Sequence, residues 1–126
     1  SLGLLTLNSL VASDSILIPV QAEYYALEGL GQLLNTISLI QQNIVSDLKI
    51  LGAVVTLFDR RNKVALQVVD ELKKYFPYHI FNTVIPRNVR LTEAPSYGKD
   101  IFHYSPDSFG AEAYSEFAKE ILNICA

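Results

Sequence analysis

Apolar and polar positions alternate along this chain in two rhythms, one helical and one extended. Leu2 to Ala12 predicts a helix with apolar residues on more than one face, ended by Ser13-Asp14. Ser15 to Val20, SILIPV, is a short apolar run between turn signals and predicts a buried strand. In the stretch that follows, Leu27, Leu30, Leu33, Leu34, Ile37, Ile40 and Ile44 recur at helical spacing. Leu48 to Phe58 is apolar and β-branched, a second buried strand. Val64 to Phe76 predicts a helix with Ala65, Val68, Val69, Leu72 and Phe76 on one face, stopped by Pro77. Ile80 to Ile85 reads as a third strand. Ser105-Pro106-Asp107 then opens a last helix, with Ala113, Phe117, Ile121 and Leu122 expected to pack inward. Between the third strand and that helix lies one long polar loop bounded by prolines.

Strands alternating with helices predict an α/β fold with a parallel sheet. The expected architecture is a partial doubly wound sheet of about three strands with flanking helices. The first helix has no strand before it, so the pattern resembles the second half of a larger sheet. The chain has 126 residues, one domain's worth, and half of them are hydrophobic. That is rich for so small a domain, which leaves much of its surface in water. A bare edge strand and bare apolar helix surface are expected to favour self-association, by way of an exchanged element.

The net charge of -3 advertises no nucleic acid, so any DNA contact needs a local basic patch. No apolar run is long enough to span a bilayer, and no signal peptide is visible. The single cysteine, Cys125, excludes an internal disulfide and suits a reducing, cytoplasmic compartment. It reads as a small hydrophobe in the terminal helix. Methionine is absent and the chain opens on Ser1, which predicts a cleaved, truncated or processed product.

Ligands of open parallel sheets sit beyond the carboxyl ends of the strands. Three loops leave such ends: QAEYY after Val20, DRRNK after Phe58, and PRNVRLTEAP after Ile85. A phosphate-binding P-loop is absent, because the only Gly-Lys, Gly98-Lys99, is followed by Asp100 and preceded at the required glycine position by Glu93. Gly29 and Gly31 lie inside a helical pattern with Leu34 at the third glycine position, which excludes a dinucleotide fingerprint. His79 and His103 have no metal-ligand spacing. In the third loop, Pro86 fixes the backbone, Asn88 offers an amide that both donates and accepts, and Arg87 and Arg90 suit phosphate or carboxylate. In DRRNK, Arg60, Arg61 and Lys63 form a small basic cluster. Spacing alone also fits an ordinary solvated surface at both loops.

Longer strings sharpen the choice. SLGLLTLNSL, ILIPVQAEYYALEGLGQLLNTI, QVVDELKKYF, TVIPRNVRLTEAPSYGKDI and GAEAYSEFAKEIL are collinear from Ser1 to about Leu122. Together they resemble the ParA/Soj partitioning ATPases, a deviant Walker P-loop family serving chromosomes and plasmids. The resemblance implies the C-terminal half of a P-loop NTPase fold: a single incomplete domain over residues 1–126, without the P-loop and without the Asp-Cys-Pro-Pro motif that precedes the serine matched by Ser1. It implies a parent that is an ATPase using ATP and Mg²⁺, binds DNA non-specifically as an ATP-bound dimer, and is regulated by a ParB/Spo0J-type centromere-binding protein. Localisation would be cytoplasmic and nucleoid-associated, without a membrane role.

Residue by residue, the resemblance places Pro86, Arg87 and Asn88 on the adenine side of the nucleotide. It places Arg61 and Arg90 on DNA, with Arg60 and Lys63 flanking them unmatched. Gln21, Glu23 and Tyr24 match a strand-end segment near the nucleotide and dimer face. No catalytic lysine or Mg²⁺ ligand has a counterpart. The chain alone is therefore expected to be inactive, to hold no nucleotide tightly and to bind little DNA. The rival reading is a stand-alone remnant, a non-enzymatic dimerisation or partner-binding module. A MinD-like membrane-cycling ATPase is disfavoured by the C-terminal AKEILNICA, which lacks a basic amphipathic face.

Overall fold

The structure is a computed structural model that describes residues 3–23 and 25–125. Its elements run α1 (Leu4–Ala12), β1 (Ser15–Gln21), α2 (Ala26–Asn43), β2 (Lys49–Phe58), α3 (Lys63–Tyr75), β3 (Ile80–Pro86), α4 (Val89–Glu93), a 3₁₀ turn (Ala94–Tyr97), α5 (Ile101–Tyr104) and α6 (Phe109–Cys125). The three strands form one sheet in the order β1-β2-β3, and both neighbouring pairs are parallel. This is the α/β architecture that the alternation predicts. Among the described residues no helix is long and apolar enough to cross a membrane.

Both faces of β2 are covered, as its unbroken apolar run requires. Ala53 and Val55 join the core formed with Ile16, Ile18 and Val20 of β1, Ile37 and Ile40 of α2, and Ala65 and Leu72 of α3. Val54 points the other way, into a smaller cluster with Phe81, Ile85 and Phe117 of α6. Helices thus lie on both faces, and the Phe81 and Phe117 rings meet edge to face at 5.0 Å.

β1 departs from the sequence expectation. It is buried on one face only: Ile16, Ile18 and Val20 face the core, while Ser15, Leu17, Pro19 and Gln21 are exposed. The reason is position. β1 is an edge strand and α6 covers β3 at the far side, so the second face of β1 has no helix on it. Pro19, which lacks an N–H, suits such an edge. Leu4 and Leu5 of α1 are exposed as well, at 72% and 83%.

The final helix also begins later than its sequence suggests. Ser105-Pro106-Asp107 stays outside α6, and the Ser108 hydroxyl accepts from the Ala111 N–H at 3.1 Å to cap it. Phe117 is buried and Ala113 and Ile121 pack partly, but Leu122 is exposed. The long polar loop is not a loop. Asn88 caps α4 by accepting from the Arg90 N–H at 3.1 Å, and Asp100 caps α5 by accepting from the His103 N–H at 2.9 Å. Gly98, in the left-handed conformation at φ 63°, ends the 3₁₀ turn between them. These short helices close over a third small core of Ala94, Ile101 and Ala111.

Candidate functional site

The carboxyl ends of the three strands are stitched together. The Ala22 N–H donates to the Thr56 carbonyl at 2.9 Å, and the Arg87 N–H to the Phe58 carbonyl at 3.0 Å. The Arg87 guanidinium reaches across to Glu23 Oε1 at 3.0 Å. The loops after β1, β2 and β3 therefore converge, as the parallel topology requires. Tyr24, adjacent to Glu23 and matched with it to a family segment, lies outside the described residues.

Beside this junction, between the outer edge of β3 and the start of α6, lies a cleft of about 850 Å³. Its floor and walls are Phe58, Val84, Pro86, Ala113 and the exposed Phe109 ring; its polar groups are Asp59, Arg60, Arg61, Asn82, Thr83, Arg87, Asn88, Glu112 and Glu116. An apolar slot rimmed by amides, three guanidinium groups and three carboxylates suits a flat ring that makes polar contacts at its edge. Pro86, Arg87, Asn88 and Arg61 are brought together here. Arg90 is not among the lining residues and pairs with Glu93 on α4.

Each candidate arginine already has a partner. Arg61 makes a two-point contact with Asp59, Nε to Oδ1 and a terminal nitrogen to Oδ2, both at 3.1 Å. The hydrogen bond from Arg61 holds the Asp59 carboxyl below the usual carboxylate range. Arg90 pairs with Glu93 Oε1 at 3.0 Å, and the Tyr104 hydroxyl donates to the same oxygen at 3.0 Å. Burial, followed by the hydrogen bond to Glu93 and its charge, pushes the Tyr104 hydroxyl above its ordinary value. These pairs lie at the surface, where such bridges stabilise little. Arg60 and Lys63 make no ion pair among the described residues.

Asn88 caps α4 and keeps hydrogen-bonding capacity to spare. Its Oδ1 already accepts the α4 N–H, so that oxygen keeps one lone pair free, while its NH₂ donors have no partner among the described residues. His103 is an exposed histidine satisfied by Asp100, 2.6 Å from its Nδ1. His79 packs edge-on against Phe81. Cys125 sits in the last turn of α6 but faces solvent. Among the described residues no cluster of His, Cys, Asp and Glu could hold a metal.

Two features escaped the sequence reading. Leu57, just before the DRRNK loop, has φ 53°, a left-handed conformation rare for leucine. Flanked by Thr56 and Phe58 inside an apolar strand, it gave no local signal of this. Glu120 of α6 accepts from the backbone of β3 over 37 and 38 residues of separation, and no local pattern could have signalled it.

Comparison with known proteins shows what the chain is similar to. A family model described as an AAA domain matches residues 1–50. The sporulation initiation inhibitor protein Soj of Bacillus subtilis is 59% identical over 96% of this chain and 48% of its own length. The chromosome partitioning protein ParA of Myxococcus xanthus is 52% identical over 97% of this chain and 43% of its own length. The chain carries Soj/ParA-type sequence over nearly its whole length. It spans about half the length of the curated relatives it matches. Among solved structures, cobyrinic acid a,c-diamide synthase from Mycobacterium smegmatis superposes with a TM-score of 0.74 at 37% identity, over 97% of this chain and 43% of that one. That enzyme has also been crystallised with ADP and magnesium. The sheet thus matches part of the P-loop NTPase-type fold of that enzyme, over 43% of its chain.

Proposed function

We propose that this chain is the C-terminal part of a Soj/ParA-type partitioning ATPase, and that its cleft forms the base-side wall of the nucleotide site. The observation that carries the reading is the convergence of Pro86, Arg87 and Asn88 with an apolar slot at the strand ends, in a chain 59% identical to Soj. Pro86 and Phe109 supply flat apolar faces for adenine. The NH₂ of Asn88 donates to a ring nitrogen, and its spare lone pair accepts from the exocyclic amine. Mg²⁺, when bound with ATP, neutralises the phosphates and polarises the terminal one. The residues present fit the base and not the triphosphate, since the 126 residues hold no P-loop. The phosphate grip therefore comes from a further segment of the parent, and this chain alone is inactive.

Arg61 and Arg90 form the DNA-facing set. They bind phosphates without reading bases, and an ATP-locked dimer doubles their number. Hydrolysis in the parent is regulated by a ParB-type partner. Localisation is cytoplasmic, on the nucleoid. The apolar side chains standing in solvent on α1 and β1 mark surface covered in the parent, and drive self-association of the chain alone.

The test is a calorimetric titration of ATP with Mg²⁺ into this chain, then into this chain mixed with the N-terminal half of the Bacillus subtilis relative. Saturable binding only in the mixture is expected. Tight binding by the chain alone, or none in a mixture shown to associate, would overturn the reading.

A further inference from the structure

β3 leaves its regular ladder just before the cleft. Ile80 lies opposite Ala53 and Val84 opposite Val55, so β3 advances four residues while β2 advances two. Further on, Pro86 lies opposite Phe58. β3 thus gains two residues on β2 at the first irregularity, and β2 regains one between Val55 and Phe58. The first irregularity sits at Phe81, Asn82 and Thr83. A bulge at a sheet edge leaves backbone N–H groups without ladder partners.

Glu120 takes up both. The Asn82 N–H donates to its Oε2 at 2.8 Å, and the Thr83 N–H to its Oε1 at 2.6 Å. Burial works against the charge on this carboxyl, but hydrogen bonds from the Thr83 side chain and the two backbone N–H groups outweigh it and hold the group below the usual glutamate range. Phe117, on the same helix, is anchored on Phe81 and fixes where Glu120 stands. Asn82, Thr83 and Val84 are themselves a wall of the cleft, while Glu120 does not line it.

We propose that Glu120 is a positioning residue: its carboxylate locks the β3 bulge, and through it sets how Pro86, Arg87 and Asn88 face the cleft. A carboxylate suits this place because each of its oxygens accepts a backbone donor in a charge-assisted bond. Beyond the bulge, the Arg87 N–H donates to the Phe58 carbonyl and the Arg90 N–H to Asn88 Oδ1, which fixes the loop that the end of β3 feeds. Only the nucleotide arm of the test below rests on the function proposed above.

The experiment is amide hydrogen exchange, read by NMR, on the chain with Glu120, Glu120→Ala and Glu120→Gln. In Glu120→Ala, exchange at Asn82 and Thr83 is expected to rise at least about tenfold, as loss of a charge-assisted hydrogen bond implies. The N–H groups of Arg87 and Arg90 should accelerate with them, and Glu120→Gln should restore part of the protection. Acceleration confined to Asn82 and Thr83 would make Glu120 an edge cap only and overturn the proposal, as would no acceleration at all. Should neither variant fold, the parent chain is titrated with acid. The resonances of Arg87 and Asn88 should then move with the Glu120 carboxyl midpoint; His79, whose charge reaches Glu120, and Lys119 and Glu116, paired beside it on α6, are followed separately. Independent midpoints would again overturn the proposal. In the nucleotide arm, Mg²⁺-ATP is titrated into the mixture with the N-terminal half of the relative, where Glu120→Gln should weaken binding severalfold. Failure of the unsubstituted mixture to bind refutes the functional reading and leaves the exchange result standing by itself.

Discussion

Replacing Gly110 by alanine sets two physical effects of opposite sign against each other. At an ordinary helical position alanine stabilises by up to about 1 kcal/mol over glycine. Gly110, in the first turn of α6, is buried against α4. A Cβ there would lie 2.5 Å from Leu91 Cγ and 2.9 Å from both Leu91 Cδ atoms. Carbon atoms in contact prefer about 3.5–4.0 Å, so Leu91 or the whole of α4 has to move by about 1 Å. Overpacking of this kind costs about 1–3 kcal/mol. The expected result is a net loss of about 1 kcal/mol, in urea unfolding followed by far-UV circular dichroism at fixed protein concentration with the m-value unchanged. Leu91→Ala alone, at a half-buried site, should cost about 1–2 kcal/mol, toward the low end for such truncations. In the double variant the added methyl occupies space that Leu91 vacates, so its loss should fall short of the sum by about 1 kcal/mol. A more stable Gly110→Ala, with strict additivity in the double variant, would refute the close approach of α4 to α6.

Further predictions follow from the backbone, the caps and the charges. Gly52→Ala should destabilise by about 3 kcal/mol or more in thermal melts, because strain at a φ of +154° adds to a Cβ 2.7 Å from the His79 carbonyl; a loss too small to resolve counts against the close approach of Gly52 to His79. Asn88→Asp keeps the cap oxygen and loses the amide donors, so it should hold stability within a few tenths of a kcal/mol while losing ATP affinity in the mixture, whereas Asn88→Ala should lose about 1 kcal/mol as well. Equal ATP affinity for all three would remove Asn88 from the base site. The Glu120, Asp59 and Asp100 carboxyls are held below their ordinary values. Their contribution is present above the unfolded-state range and is lost as pH falls through the lowered folded values, so stability should decline in acid, with a shallower decline in Glu120→Gln. In the ATP-bound assembly, Arg61→Ala and Arg90→Ala should each lower the salt slope of DNA binding by about 0.9 for every phosphate left unneutralised, equally on all sequences; an unchanged slope would take that arginine off the DNA.

The strands and long helices were legible because their apolar spacing is their cause. Ala65, Val68 and Leu72 repeat at helical intervals and are buried, and the run from Gly52 to Val55 is buried on both faces. β1 misled because an apolar run does not tell which face a neighbour covers. The helices between Val89 and Tyr104 were hidden by length, since each has a single turn or little more and no amphipathic period. Their signals were the caps Asn88 and Asp100, readable as turn residues as well as helix starts. In α6 the same ambiguity displaced the start from Ser108 to Ser105. At the site, Pro86, Arg87 and Asn88 stood out as a polar, rigid end to an apolar strand. Their convergence with Arg61, and the separation of Arg90, needed the topology. Leu57 and Glu120 follow from register offsets between strands, which no local pattern records.

The central claim is that the cleft beside Pro86–Asn88 holds the adenine of a nucleotide whose phosphates are gripped by another segment. The most direct measurement is photolabelling with an azido-adenine nucleotide and Mg²⁺, on this chain mixed with the N-terminal half of the Bacillus subtilis relative, followed by peptide mapping. Label on peptides spanning residues 82–88 or 109–116, competed away by ATP, is the predicted result. Competed label confined to other peptides of this chain, or to the added half alone, would contradict it.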